Sequence, residues 1–392
     1  MSHIQSAAPY LTKAAELRAI FAKDAVERDK QGGRPLEQLR LLKQSHLLSV
    51  NLPVQYGGAG QPWSTVFRIV REFAKADGAL GHLFGYHTLA LNNVALRGNA
   101  DDTARLYHAS ARNDWFWGNA GNAMSDTVTV RRDGEHVVLN GYRPFTSGSH
   151  IADIIQLSWT DEIEGKRVFA AVPADRKGIT ALNDWDGIGQ RQTGSGTVTF
   201  DNVHVHSSEI LGTDANRGKP FSTLTPLIQQ SVLLNVFIGS AQGALAEARD
   251  YTVTKSRPCV DSGAARHIDD PWIQRLYGDL FIKTEAATLL ADKALDAFDR
   301  VWARGHDLTE VERGDAAATV AGANVLAGET ALDVTSRVFE GMGARSAVTA
   351  YGFDRFWRNV RTHSLHNPAE YKTRNVGQWL LTGDYLQPGI YR

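Results

Sequence analysis

Apolar residues recur at spacings of three and four in the first part of the chain, alternate in its middle, and then return to the helical spacing. From about Pro9 to Arg112, Leu11, Ala14, Leu17, Ile20 and Phe21 follow the first rule, as do Leu36, Leu39, Leu42 and Leu47. Such stripes belong to amphipathic helices with one core-facing side. The run from Pro53 through Gly57-Gly58 to Pro62 breaks the pattern with turn residues, and a further helix is expected from Ser64 through Ala76, leading to Gly78 and the stretch up to His87. Between about Asp114 and Gly212 the period is two. Thr127–Val130, Val137–Leu139, Ile154–Leu157, Val168–Val172 and Thr197–Phe200 are strand candidates separated by Asp-Gly, Asn-Gly and Glu-Gly turns, which predicts an antiparallel β domain. After Gly218 the helical period resumes over Phe221 to Lys255, Trp272 to Ala303, Leu308 to Gly341 and a shorter C-terminal piece, a bundle of long antiparallel helices. The pattern predicts an α+β chain with a helical domain over 1–113, a β domain over 114–214 and a helical bundle over 215–392.

Composition narrows the function classes. A chain of 392 residues exceeds the size at which one core stops growing, so several packed subregions are expected. With 42 basic and 43 acidic residues interspersed and a net charge of −1, there is no electrostatic footprint for nucleic acid or an anionic membrane. The single cysteine, Cys259, excludes an intramolecular disulfide framework and a multi-cysteine metal site; it is read as a small packed or partly exposed thiol. Met1 to Tyr10 shows no basic region followed by an apolar run, and no segment reaches the roughly 18 uncharged apolar residues that span a bilayer. A cytoplasmic location is expected. No G-x-G-x-x-G follows a strand and no G-x-x-x-x-G-K-[ST] occurs, so any nucleotide is held by another device.

Several constellations can carry chemistry. His82 and Tyr86, four apart, share a helix face, either as core amphipaths with satisfied polar tips or as donors lining a pocket. His363 and His366 have a spacing that suits two helical metal ligands. No H-E-x-x-H order accompanies them, and Glu370 sits beside Pro368 and Ala369, so no metal is expected. His204 and His206 alternate near a surface turn and read as solvated. Asp114-Trp115-Phe116-Trp117-Gly118-Asn119-Ala120-Gly121-Asn122 mixes aromatics with small residues, and Gly118 and Gly121 would let a planar ligand approach the backbone. Phe145-Thr146-Ser147-Gly148-Ser149 repeats the theme. Arg257 and Arg345 stand beside Pro258 and a Gly-rich turn, where a guanidinium can fork onto a phosphate.

Taken in order, these segments resemble the acyl-CoA dehydrogenase superfamily, with the run Gly187-Ile188-Gly189-Gln190-Arg191-Gln192-Thr193-Gly194-Ser195-Gly196-Thr197-Val198-Thr199-Phe200-Asp201-Asn202-Val203-His204-Val205 similar to its β-domain signature. The resemblance implies an N-terminal helical domain, a middle β-barrel or sandwich domain and a C-terminal four-helix bundle. Within the superfamily the chain is most similar to the flavin-dependent monooxygenases of the dibenzothiophene type. Gly81–His87, Trp117–Ala120, Asp184-Trp185 and Tyr351–His366 carry that likeness. A dehydrogenase of this family needs a carboxylate base after the arginine-rich segment or early in the first bundle helix. Here those places hold His366 in Ser364-Leu365-His366-Asn367, and Leu233 with Leu234, so removal of hydrogen α to a thioester is disfavoured.

The resemblance further implies reduced FMN or FAD delivered by a separate flavin reductase, O2 as co-substrate, a C4a-(hydro)peroxyflavin, and a homotetramer. It would place Asn119 and Ser147 at the flavin N5 and C4a edge, Phe145 and Trp185 along the ring, and Ser195 near the ribityl or phosphate region. Arg257 and Arg345 would come from a neighbouring subunit to the phosphate. His82, Tyr86 and His366 would surround the substrate, with His366 or His82 passing a proton. A flat aromatic heterocycle, oxygenated at sulfur or at a ring carbon as in indole, suits such a pocket. Three other readings stay open: an N-hydroxylating or nitroso-forming enzyme acting on an amine, an acyl-CoA dehydrogenase, and a non-enzymatic scaffold.

Overall fold

A computed structural model describes residues 6–122, 124–125, 127–161, 165–212, 216–385 and 387–389. The expected domain limit at 214, the first five residues, and Glu164 of the expected Glu-Gly turn lie outside them.

Six helices come first: α1 (Ala8–Phe21), α2 (Ala25–Gln31), α3 (Leu36–Ser45), α4 (Trp63–Ala74), α5 (Gly78–Arg97) and α6 (Ala100–Asn113). The residues from Gly78 to His87 open α5. Its first turn is capped by Asp77, whose carboxylate accepts from the Ala79 and Leu80 amides at 2.9 and 3.4 Å. Such a cap satisfies amides that have no partner within the helix. Arg28 of α2 donates to the same carboxylate at 2.5 Å and to Gln192 Oε1 at 2.8 Å, so one buried guanidinium ties the start of α5 to the β domain.

Eight strands follow: β1 (Trp117–Ala120), β2 (Val128–Asp133), β3 (His136–Arg143), β4 (Ile154–Thr160), β5 (Arg167–Pro173), β6 (Ile179–Ala181), β7 (Val198–His206) and β8 (Ile210–Leu211). They form two sheets of order β1-β4-β5-β8 and β2-β3-β7-β6, with Leu139, Leu157, Val172, Val198, Phe200 and Val205 buried in one cluster. Pairing is antiparallel except between β1 and β4, which run parallel. The Asn-Gly pair read as a turn, Asn140-Gly141, instead lies inside β3, where the register with β7 shifts. Gly141 has φ +119°, and a Cβ there would sit 2.1 Å from Thr127 O, so the dipeptide builds a bulge and not a chain reversal.

The long helices α7 (Thr225–Lys255), α8 (Pro271–Arg304) and α9 (Glu310–Met342) pack through Leu234, Ile238, Leu280, Ala291, Ala327 and Val334. The shorter α10 (Asp354–Ser364) and α11 (Ala369–Thr382) complete the bundle. A second cluster runs through Phe67, Phe73, Phe84, Val232 and Phe298, and so joins α4 and α5 to α7 and α8. Among the described residues no helix is long and apolar enough to cross a membrane. The architecture is acyl-CoA dehydrogenase-like in its order of helices, sheets and helices.

Candidate functional site

A cavity of about 980 Å³ opens where α5, the start of α7, the β1–β4–β5 sheet and the end of α10 meet. His82 and Tyr86 enter it from α5, Asn119 from β1, Phe145 and Ser147 from the loop after β3, and Trp185 and Ser195 from the loop before β7. His363 closes α10, and His366 follows in the next turn. Eight of the ten residues expected at the site thus border one space. Among the described residues its lining holds no carboxylate. The expected alternative base positions, Leu233 and Leu234, are buried core residues.

On α5 the His82 and Tyr86 rings stack with centroids 4.0 Å apart, and His363 lies 4.6 Å from His82 on the other side. His82 is 4% exposed, and neither of its ring nitrogens has a partner. The core-amphipath reading required satisfied tips, so the pocket-lining reading stands for His82. Tyr86 Oη meets His366 Nε2 at 3.3 Å. Burial, reinforced by His366, pushes His82 down to about 3. His363 is held well below its ordinary value by burial, then by His82 and His366. His366 is open to the cavity but enclosed by protein elsewhere, and burial followed by Lys372 holds it to about 4. All three are neutral at pH 7, so an imidazole that donates here does so from a neutral N–H. That changes the expected basis for proton transfer, which was titration near neutrality. His87, on the opposite face, accepts from Trp117 N at 2.9 Å and meets Leu48 O at 2.8 Å, a structural pairing.

Across the cavity a row of hydroxyls backs the loop residues. Ser147 Oγ lies 2.7 Å from Ser195 Oγ, Ser195 Oγ lies 2.8 Å from Thr193 Oγ1, and Thr193 Oγ1 donates to Gln190 O at 2.8 Å. The same carbonyl accepts from Trp185 Nε1 at 2.8 Å. Gln190 N donates to Asn359 Oδ1 at 2.6 Å, so α10 fixes both the loop and the histidine turn. Phe145, at φ 58° and 62% exposed, meets Trp185 edge-on at 6.4 Å and forms an apolar rim. Gly121 borders the cavity, but Gly118 does not. A Cβ at Gly118 would stand 2.6 Å from Ser149 Cα, so this glycine admits the chain's own backbone and not a planar ligand.

Arg257 and Arg345 are exposed and border none of this cavity. Their segments are joined to each other, since Arg345 Nη2 donates to Lys255 O at 3.0 Å and Ser256 Oγ to Met342 O at 2.9 Å. Two guanidiniums therefore stand on the outer surface of the bundle. Among the described residues no group of three metal-ligating side chains occurs. Residues not anticipated at the cavity include His363, Gln229, Arg97, Arg167 and Arg217. Of these only His363 carried a signal, its spacing from His366.

Three models of the acyl-CoA dehydrogenase family match the chain: the N-terminal domain over residues 14–114, the middle domain over 119–203 and the C-terminal domain over 232–370. A probable FMNH2-dependent monooxygenase, SfnC, from Pseudomonas putida is 40% identical over 98% of this chain and 97% of its own. Dibenzothiophene monooxygenase from Rhodococcus erythropolis is 40% identical over 93% and 91%. Among solved structures, methanesulfinate monooxygenase MsuC from Pseudomonas fluorescens superposes with a TM-score of 0.95 at 39% identity, covering 97% of this chain and 99% of that one. Indole-bound TdsC from Paenibacillus sp. A11-2 does so at 0.94 and 36%, with the same coverage, and an FMN-bound form at 0.93.

Proposed function

The chain belongs to the acyl-CoA dehydrogenase family and is a flavin-dependent monooxygenase; on that premise we propose that it takes reduced FMN from a separate reductase and oxygenates a substrate seated between His82, Tyr86 and His366. The observation that carries the reading is His366 bonded to Tyr86 in a cavity whose described lining has no carboxylate, where the resemblance implies a dehydrogenase would carry a glutamate. Without such a base, α-proton abstraction from a thioester has no acceptor.

The residues present fit a flavin. The Ser147–Ser195 hydroxyl pair, Asn119 and the Phe145–Trp185 rim would hold the ring system, and the unpartnered nitrogens of His82 await a polar partner. When bound, reduced flavin supplies the two electrons that activate dioxygen. Phe145 and Trp185 exclude water from the ring, and Tyr86 orients the His366 imidazole so that its proton sits at a defined edge of the cavity. Arg257 and Arg345, exposed on segments that are hydrogen-bonded to each other, would reach the phosphate of a neighbouring copy's flavin, which favours a homotetramer. The relatives named for FMNH2 and bound FMN favour FMN over FAD. Those named for dibenzothiophene and methanesulfinate favour oxygenation at sulfur, and the indole complex admits an aromatic heterocycle.

The test is aerobic turnover of the full chain with FMN, NADH and a flavin reductase on a panel of dibenzothiophene, indole, sulfinates and aromatic amines. Mass spectrometry should show one added oxygen from 18O2 in a sulfur or heterocycle product. Hydroxylamine products alone would move the substrate to amines. Bleaching of bound flavin by an acyl-CoA with no reductase present would overturn the reading.

A further inference from the structure

Three arginines, Arg97, Arg167 and Arg217, border the cavity near one another, and no described lining residue is acidic. Arg167 is turned to the protein, donating to Gly121 O at 3.2 Å, Asn122 O at 2.9 Å and Ser158 Oγ at 2.6 Å, and Arg217 Nη1 donates to Arg167 O at 3.3 Å. Arg97 differs from both. Its guanidinium carbon lies 3.6 Å from the centre of the Phe169 ring, and one Nη2 hydrogen bond reaches Thr225 Oγ1 at 3.2 Å. Thr225 in turn donates to Asn93 Oδ1 at 2.7 Å. The Arg97 Nε is buried without a partner, and no described carboxylate acts on the group. Burial, then Arg167 and Arg217, push it down to about 10, which still leaves it charged at neutral pH.

A cation stacked, oriented and left without a counter-ion among the described residues at a cavity wall is an unfilled anion site, because a buried charge is stable only when paired. The fork of a guanidinium matches the oxygens of a sulfinate, sulfonate or carboxylate. We propose that Arg97 is the recognition group for an acidic substituent that the substrate carries away from its oxygenated atom, since Arg97 stands eleven residues along α5 from Tyr86; the substrate is then an anionic organosulfur or aromatic compound rather than a neutral heterocycle. This rests on the monooxygenase reading above and sharpens its substrate class. For a thioether that carries a carboxylate the reaction balances: one atom of O2 joins sulfur to give the sulfoxide, the other leaves as water, and reduced flavin gives up two electrons and two protons.

The test compares 4-(methylthio)benzoate with its neutral counterpart, methyl p-tolyl sulfide, in the reductase-coupled assay, for wild type, Arg97→Met and Arg97→Lys. Wild type should prefer the benzoate. Arg97→Met should raise its KM roughly 10- to 150-fold, the span of a lost hydrogen bond to a charged group, with turnover of the neutral sulfide and FMN titration unchanged. Arg97→Lys should recover part of the loss. A wild-type preference for the neutral sulfide, an equal loss on both compounds, or a weakened FMN titration, which would make Arg97 a flavin-phosphate ligand, would each overturn the proposal. Should wild type bind reduced FMN yet oxygenate neither these compounds nor any of the panel above, the monooxygenase reading fails. Calorimetry with 4-(methylthio)benzoate on wild type and Arg97→Lys then decides the anion site alone: tight binding weakened by the substitution upholds it, and no binding refutes it. The Lys variant and the wild-type preference also decide the matter if the Met variant does not fold.

Discussion

Protonation of His82 should be among the costs that acid imposes on this fold, and its size can be worked from the structure. An unfolded histidine takes up its proton near 6.5, whereas burial, reinforced by His366, holds His82 to about 3. Between those values the unfolded chain binds more protons than the folded one, so stability is fully present above 6.5 and falls as pH drops toward 3. At pH 5 the difference amounts to about 2 kcal/mol for this one group. His82→Leu removes the titration while keeping an apolar side chain on α5. Urea unfolding followed by circular dichroism at pH 7 and pH 5 supplies the comparison. The other depressed histidines, His87, His150 and His366 at about 4 and His363, are present in both proteins; they cancel apart from the part of the His363 shift that His82 causes. Wild type should lose about 2 kcal/mol more than His82→Leu on acidification. Parallel losses would show that His82 is solvated in the folded protein, and the account of the cavity as a dry, neutral imidazole cluster would fail with it.

Three other outcomes are expected. His366→Ala should lower product formation by roughly 10²- to 10⁴-fold, the range for a lost proton-transfer group, with FMN titration unchanged; undiminished turnover would remove His366 from the chemistry. Arg345→Ala should weaken FMN binding, and mixing it with His366→Ala subunits should restore some turnover, since each copy then supplies what the other lacks; an unaltered titration would refute the placement across subunits. Arg28→Met should cost roughly 3–5 kcal/mol by stranding the buried Asp77 carboxylate, seen as a lower Tm, and a shift within error would show the pair to be dispensable.

The helical stripes were legible because α1, α3 and α7 to α9 bury one face or all of it, and the longer strands because alternation survives wherever one sheet face meets a core. The strands not anticipated, β1, β6 and β8, are two to four residues long, too short for a period of two to register. Asn140-Gly141 carried the chemistry of a turn, but the sequence does not encode the partner strand that makes it a bulge. His82 and Tyr86 could be paired by helix geometry alone. Arg97 could not be placed, because Phe169 and Thr225, which orient it, arrive from β5 and α7. Gly118 was misread for a related reason: the backbone that crowds it belongs to the loop after β3.

The row of hydroxyls behind the cavity wall has a direction. Thr193 spends its hydrogen on the Gln190 carbonyl, so the 2.8 Å contact with Ser195 needs the hydrogen of Ser195, and the 2.7 Å contact with Ser147 then needs that of Ser147. Each hydroxyl has one hydrogen to give. Ser147 is left facing the cavity with lone pairs alone, able to accept but not to give. A ring nitrogen that bears hydrogen finds a partner there, while a bare one meets lone pair with lone pair. Since the N5 of a flavin bears hydrogen only when reduced, the proposed placement of N5 against Ser147 would let this wall tell the two redox states apart before any oxygen arrives.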